Sequence, residues 1–182
     1  MSDFPQIRVP PWPVIHSFMR DAVGGHCAST NESFGAATSG TWPTTNKAIF
    51  VPFEINEPIT VTKLWWYDGA TLQNGVDCGI YDNFGVRVIS TGSQPQASGV
   101  INTLRVIDIA DTVIQPGRYY LALALNSTTG TIFGANTGSD ATPHFGIVVQ
   151  LSAFPLPAVA VFGRDTGLRI PIFGLLHGID VI

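Results

Sequence analysis

Charge is scarce in this chain. Only 12% of its 182 residues are Asp, Glu, Lys or Arg, about half the usual share. Disordered chains combine high charge with few apolar residues. Here hydrophobic residues make up 45%, so disorder is excluded and part of the surface is not destined for water. The nine Lys and Arg are scattered and the net charge is −4. Phosphate neutralisation needs clustered cations, so no nucleic acid partner is expected. Two cysteines are too few for a disulfide framework. Cys78 shares a strand side with Val76 and Ile80 and reads as a small core residue. Cys27, beside Gly25 and His26, reads as a loop thiol. No run approaches the ~20 apolar residues of a membrane helix. The nearest, AFPLPAVAVFG at 153–163, is too short and holds two prolines. The start, MSDFPQIRVPPWPVIHSFMR, lacks the charged head and apolar run of an export signal. A chain made in a cytosol, without membrane insertion, is expected.

Reactive constellations are equally thin. The spacing G-x-S-x-G does not occur, and GAATSG at 35–40 does not supply it. Neither the phosphate loop G-x-x-x-x-G-K-[ST] nor a G-x-G-x-x-G after a strand is found. His16, His26, His144 and His177 stand apart in the sequence, without an H-x-x-x-H pair or a cysteine doublet, which disfavours zinc. Asp77, Asp82, Asp108 and Asp111 raise the question of calcium, but no D-x-D-x-D-G loop frames them. Solitary turn aspartates more often bond their own backbone. The matches Asn31-Glu32-Ser33 and Asn126-Ser127-Thr128 matter only if the chain is exported. No enzymatic activity, catalytic residue, cofactor or metal is expected.

What the chain does have divides it into three zones. Residues 1–45 are rich in Pro, Gly, Ser, Thr and Asn. PPWP at 10–13 fixes an extended backbone. A short helix over 14–23 is compatible with Val14, Phe18 and Met19 one turn apart, ended by Gly24-Gly25. This N-terminal arm carries Phe4, Ile7, Trp12 and Phe18 but is too short to enclose them. It must lie on its own domain or on a neighbour.

Residues 46–152 read as β throughout. KAIFVPFEI places Ile49, Val51, Phe53 and Ile55 on one face. In ITVTKLWWYD the apolar set changes parity between Val61 and Leu64, which suggests a bulge or a strand covered on both faces. NGVDCGIYDNFGVRVISTG, 74–92, alternates, turns at Asp82-Asn83-Phe84-Gly85 and alternates again, as a β-hairpin does. A strand candidate follows at 103–109. QPGRYYLALALN then gives a strand with Tyr119, Leu121, Leu123 and Leu125 on one face and Ala122 and Ala124 on the other. Apolar on both sides, it belongs at the centre of a sheet whose second face is covered by another layer. TIFGAN and FGIVVQL complete about eight strands. The fold class is all-β: a single antiparallel β-sandwich, jelly-roll-like, with an extended arm.

Residues 153–182 are mostly Val, Ile, Leu and Phe. LRIPIFGLLHGIDVI reads as one or two strands. The surplus apolar material of this segment and the arm covers an interface, or the segment closes the open edge of the sandwich. On the interface reading the assembly contacts are Phe4, Ile7, Trp12, Phe18, Phe154, Phe162, Ile170 and Phe173. At about 25 cal/mol per Å² of apolar area, a standard interface needs no ionic contacts. Aromatic residues supply a separate candidate. Trp65, Trp66 and Tyr67 put at least one indole on each face of a strand, Tyr81 points away from the hairpin's core side, and Trp42 lies in a loop. Exposed rings of this kind hold sugars, so Trp42, Trp65, Trp66 and Tyr81 are glycan-contact candidates. Equally, one Trp can fill the core while the arm covers the other.

VDCGIYDNFGVRVISTGS followed by DTVIQPGRYYLALALN resembles the jelly-roll modules of tailed-bacteriophage virion proteins. In those modules a hairpin v-x-G-I-Y-D-x-x-G-x-x-v-x-S-T-G precedes a strand PG-x-Y-Y-L-A. The match covers Gly79–Asp82, Gly85, Ser90–Gly92 and Pro116–Ala122, and the quoted stretches with their interval, 76–126, span somewhat under a third of the chain. Secreted carbohydrate-binding sandwiches share parts of it. The resemblance implies a peripheral virion component, of the tail-fibre, spike, head-fibre or capsid-decoration type, commonly a homotrimer. Partners would be copies of itself, other virion proteins and, for an adhesin, a host surface glycan. No functional residue carries over, because the motif is scaffold.

Overall fold

The computed structural model describes residues 38–73, 75–96, 100–136, 146–164 and 169–178. Within them the chain is all-β. In order come β1 (Thr38–Thr41), β2 (Ala48–Ile55), β3 (Ile59–Tyr67), β4 (Gly75–Asp82), β5 (Arg87–Ser90), β6 (Gln94–Pro95) and β7 (Leu104–Ile114). β8 (Gly117–Leu125), β9 (Thr131–Asn136), β10 (Val148–Gln150), β11 (Gly163–Arg164), β12 (Arg169–Pro171) and β13 (Phe173–Gly178) follow. The expected arm and its helix lie outside the described residues.

The larger layer runs β11-β10-β2-β8-β4-β5, with β6 also on β4. Opposite it stand two small sheets, β13-β3-β7 and β1-β9-β12. They meet where Asp68 bridges Ile132 and where Ile172 donates to Phe133 O and accepts from Tyr67 N. All ladders are antiparallel. Alternation sets the main core: Ile49, Val51, Phe53 and Ile55 of β2 and Leu121, Leu123 and Leu125 of β8 pack against Leu64, Trp66, Ile132, Ile170, Phe173 and Leu175. The parity change in β3 is a bulge against β7 between Val61 and Lys63. That bulge lets Val61, Leu64 and Trp66 all face the core. It also carries β7 five residues past the expected end, because the ladder resumes at Thr112.

β8 is central, in full register with β2 and β4. Its second face, as its composition requires, is covered. Residues 151–162, between β10 and β11, form a strap over the outer side of the large sheet. Ala48, Phe50, Tyr81, Ala122, Ala124, Ala153, Leu156 and Ala160 make a second core there. Small Ala122 on the strand between them leaves room for Phe50 and Tyr81 to meet edge to face at 5.2 Å.

The sandwich does not stop at residue 152. β1 pairs with β9, β12 with β9, and β13 with β3. The division into a sandwich of 46–152 and a separate interface segment is therefore corrected. Without β13, the strand bearing Trp65 and Trp66 would be an open apolar edge, and closing it is the cheapest use of that C-terminal material.

Candidate interaction surface

The strap is held by polar groups reaching out of the large sheet. The Leu156 amide donates to Asp77 Oδ2 at 2.9 Å, Tyr81 OH donates to Pro157 O at 2.5 Å, and Arg87 Nη1 donates to Leu156 O. Backbone bonds add Ala153 N to Asn46 O at 2.6 Å, Arg87 N to Ala158 O at 2.9 Å and Ala160 N to Gly85 O at 2.7 Å. Burial raises the Asp77 carboxyl above its usual range, while the Leu156 amide, the Thr91 hydroxyl and the Arg87 charge pull the other way. Burial also pushes the Tyr81 hydroxyl upward, so Tyr81 stays a neutral donor.

A second polar cluster plugs the junction of the small sheets. Asp68 Oδ1 accepts from Trp66 Nε1 and from Gln96 Nε2, each at 2.9 Å. Its Oδ2 lies 3.3 Å from Arg105 Nε without the alignment of a hydrogen bond. Desolvation raises the Asp68 carboxyl despite the bonds from Gln96 and Trp66 and the charge of Arg105. The Asp68 carboxyl is buried and only the Arg105 side chain reaches solvent, so this cluster acts as structure.

The four glycan-contact candidates are all buried. Trp42 donates to Lys47 O at 2.9 Å. Trp66 is in the main core, and Tyr81 lies under the strap. Trp65 points to the opposite face of its strand, where its ring lies over Gly174, a Cβ on which would stand 2.6 Å from it. Its Nε1 donates to Leu175 O at 3.3 Å. None offers a ring to a sugar, because each indole or phenol also spends its polar hydrogen inside.

Of the assembly candidates, Phe4, Ile7, Trp12 and Phe18 lie outside the described residues. Ile170 and Phe173 are core residues, which corrects their reading as interface contacts: strand alternation turns them inward. Phe154 and Phe162 pack on the second core, with Phe162 5.1 Å from the Phe50 ring and 4.7 Å from Tyr120.

The exposed apolar residues are others. Asp82 Oδ1 accepts from the amides of Phe84 and Val86 at 2.9 and 2.8 Å, as a turn aspartate does. Gly85 takes φ +82°, and Phe84 is thrown out to 80% exposure at the tip. Val86 bridges Val159 of the strap. With Val161, 72% exposed, they make one apolar corner. A second patch leads into β7: Val100 and Ile101, 56% and 54% exposed, then Leu104 and Val106. Ile107 and Ile109 turn toward the core, so alternation sends Leu104 and Val106 out. Sequence reasoning passed over both. The signals were a Phe inside a turn tetrad, and AVAVF, where Ala rather than Val faces inward.

Trp42, Pro43, Ile49, Ile132, Arg169 and Pro171 line a shallow apolar pocket with room for about one water. Among the described residues no three His, Cys, Asp or Glu side chains converge as a metal site. Asp108 is instead paired with Lys63. Among the same residues, no helix is long and apolar enough to cross a membrane. Comparison of the chain with protein-family models, with curated proteins and with solved structures found no match.

Proposed function

We propose that this chain is a non-enzymatic structural protein of a bacteriophage virion, a peripheral β-sandwich that works as an oligomer. The observation that carries the reading is the corner of Phe84, Val86, Val159 and Val161, left in solvent by a chain whose two cores are otherwise closed. Large apolar side chains gathered at one place on a chain so poor in charge are suited to permanent burial against other protein. The hairpin that throws Phe84 outward is the segment that resembles phage virion modules, which supplies the particle. Its partners are copies of itself, as a trimer, and neighbouring virion proteins, and its place is the virion.

Mass spectrometry of purified virions from the source culture tests the reading. The chain is expected at a copy number comparable to other minor structural proteins. Its presence in the lysate but not in virions purified by density gradient would overturn the proposal.

A further inference from the structure

We infer that copies of this chain associate head to tail, the corner formed by Phe84, Val86, Val159 and Val161 of one copy seating on the Val100, Ile101, Leu104 and Val106 face of the next. The inference rests on the assembly role proposed above and specifies its contact.

Position comes first. The hairpin tip follows Asp82, which pairs with Tyr119, itself paired with Phe53. That places it at the end of the sandwich where β2 turns into β3. Leu104 pairs with Tyr67 at the far end of β3, in the opposite layer. The two patches therefore share no single face, and a two-fold contact, which joins the same face of each copy, would leave one of them uncovered. A heterologous contact uses each patch once per copy and gives a ring, the arrangement a trimer needs, when the rotation between successive copies closes.

Area comes second. From their exposures, the corner offers roughly 400 Å² of apolar surface and the second patch roughly 300 Å². Either alone is ordinary for a monomer. Together, in an interface about 57% apolar, they imply about 1,200 Å² buried, the lower bound of a specific stable contact.

Edges come third. Continuing a sheet between copies is the rival way to associate, and the edges discourage it. Among the described residues β6 and β11 have two residues, β12 three, and β1 and β5 four each, while the six-residue β13 shifts register between Leu176 and His177. The longer β7 is interrupted opposite Thr62 and carries Asp108 and Asp111. Short, bulged and charged edges resist strand addition. Contact through side chains remains.

The test uses the full chain and two double variants, Val159→Asp with Val161→Asp, and Ile101→Asp with Val106→Asp, each checked for an unchanged thermal melt. By light scattering after size exclusion at micromolar concentration, the unsubstituted chain is expected as an oligomer and each variant as a monomer. An equimolar mixture of the two is expected as a dimer, because one intact corner still meets one intact face. Phe84→Cys and Ile101→Cys keep the test open should an Asp variant fail to fold. The mixture should form an oxidised dimer absent from either variant alone and from the unsubstituted chain. Phe84→Cys cross-linking to itself, or loss of the oligomer in the corner variant alone, would overturn the head-to-tail contact in favour of a two-fold one. A monomeric unsubstituted chain would overturn it too, whereas the virion role stands or falls separately by mass spectrometry.

Discussion

Replacing Asp77 tests whether the strap is fastened by a buried carboxylate. Asp77→Ala removes the acceptor from the Leu156 amide, 2.9 Å away, and leaves that N–H buried without a partner. An orphaned buried donor costs about 1–3 kcal/mol, so we expect about 2 kcal/mol, or roughly 4–8 °C in Tm for a chain of this size. Asp77→Asn keeps a carbonyl oxygen in the same place and should lose less than about 1 kcal/mol at acid pH. The two diverge further with pH. Burial raises the Asp77 carboxyl above its ordinary 3.8, so the folded state holds that proton more tightly than the unfolded state. This contribution favours folding below the unfolded value and is lost as pH rises through the folded one. Asn has no such loss. Measured as the difference from the unsubstituted chain by urea denaturation, Asp77→Asn should therefore gain relative stability as pH rises from about 3.8 through the raised folded value. Asp68 titrates with the same sign but is common to both proteins and cancels. A difference running the other way, with Asp77→Asn losing ground as pH rises, would mean that Arg87 and the donors outweigh burial. Equal stability of the Ala and Asn variants would mean that residue 77 does not hold the strap.

Three further substitutions probe the junction and the hairpin. Trp66→Phe keeps an aromatic ring in the core but takes the indole N–H from Asp68 Oδ1. A loss of about 1–2 kcal/mol in denaturant unfolding is expected, and a loss below about 0.3 kcal/mol would deny that bond a role. Gly85 and Gly92 both take positive φ, but a Cβ at Gly85 would stand 2.9 Å from Ala160 O, whereas at Gly92 it meets nothing within 4 Å. Gly92→Ala should cost about 1 kcal/mol, the backbone term alone. Gly85→Ala should cost more, about 2–3 kcal/mol, by displacing the strap as well. Equal costs would show that the strap does not press on the hairpin.

Where local pattern and tertiary environment agreed, the fold was legible. KAIFVPFEI has the period of a strand with one buried face, and Ile49, Val51, Phe53 and Ile55 occupy that face. Leu121 and Ala122, alternating along one strand, announced two cores of different depth. The hairpin was legible because turn chemistry is local: Asp82 bonds its own loop and Gly85 supplies the left-handed φ. Partner choice was not, since strand pairing is a long-range contact that leaves no mark at either strand alone. LRIPIFGLLHG is apolar whether it meets a neighbour or its own β3, and only the register Phe173↔Trp66 and Gly174↔Trp65 decides between them.

The candidate surface was misplaced for a related reason. Greasy and aromatic stretches suit an interface and a core equally, because hydrophobic content measures demand for burial, not its failure. Trp65 shows the difference: its neighbour Gly174 has no side chain, so the ring lies flat on the sheet and is buried. Failure of burial is set instead by geometry that frees a side chain from any layer. Phe84 sits in a tight turn whose backbone is fixed by Asp82, so its ring has no sheet to rest on. Val159 and Val161 flank Ala160, whose small side chain is buried and whose amide bonds the Gly85 carbonyl. An apolar residue forced out by its neighbours' fit persists in a soluble chain only where something else covers it or where its area is tolerable alone. Four such residues at one corner and four more at the opposite end together reach the area that a second copy can cover.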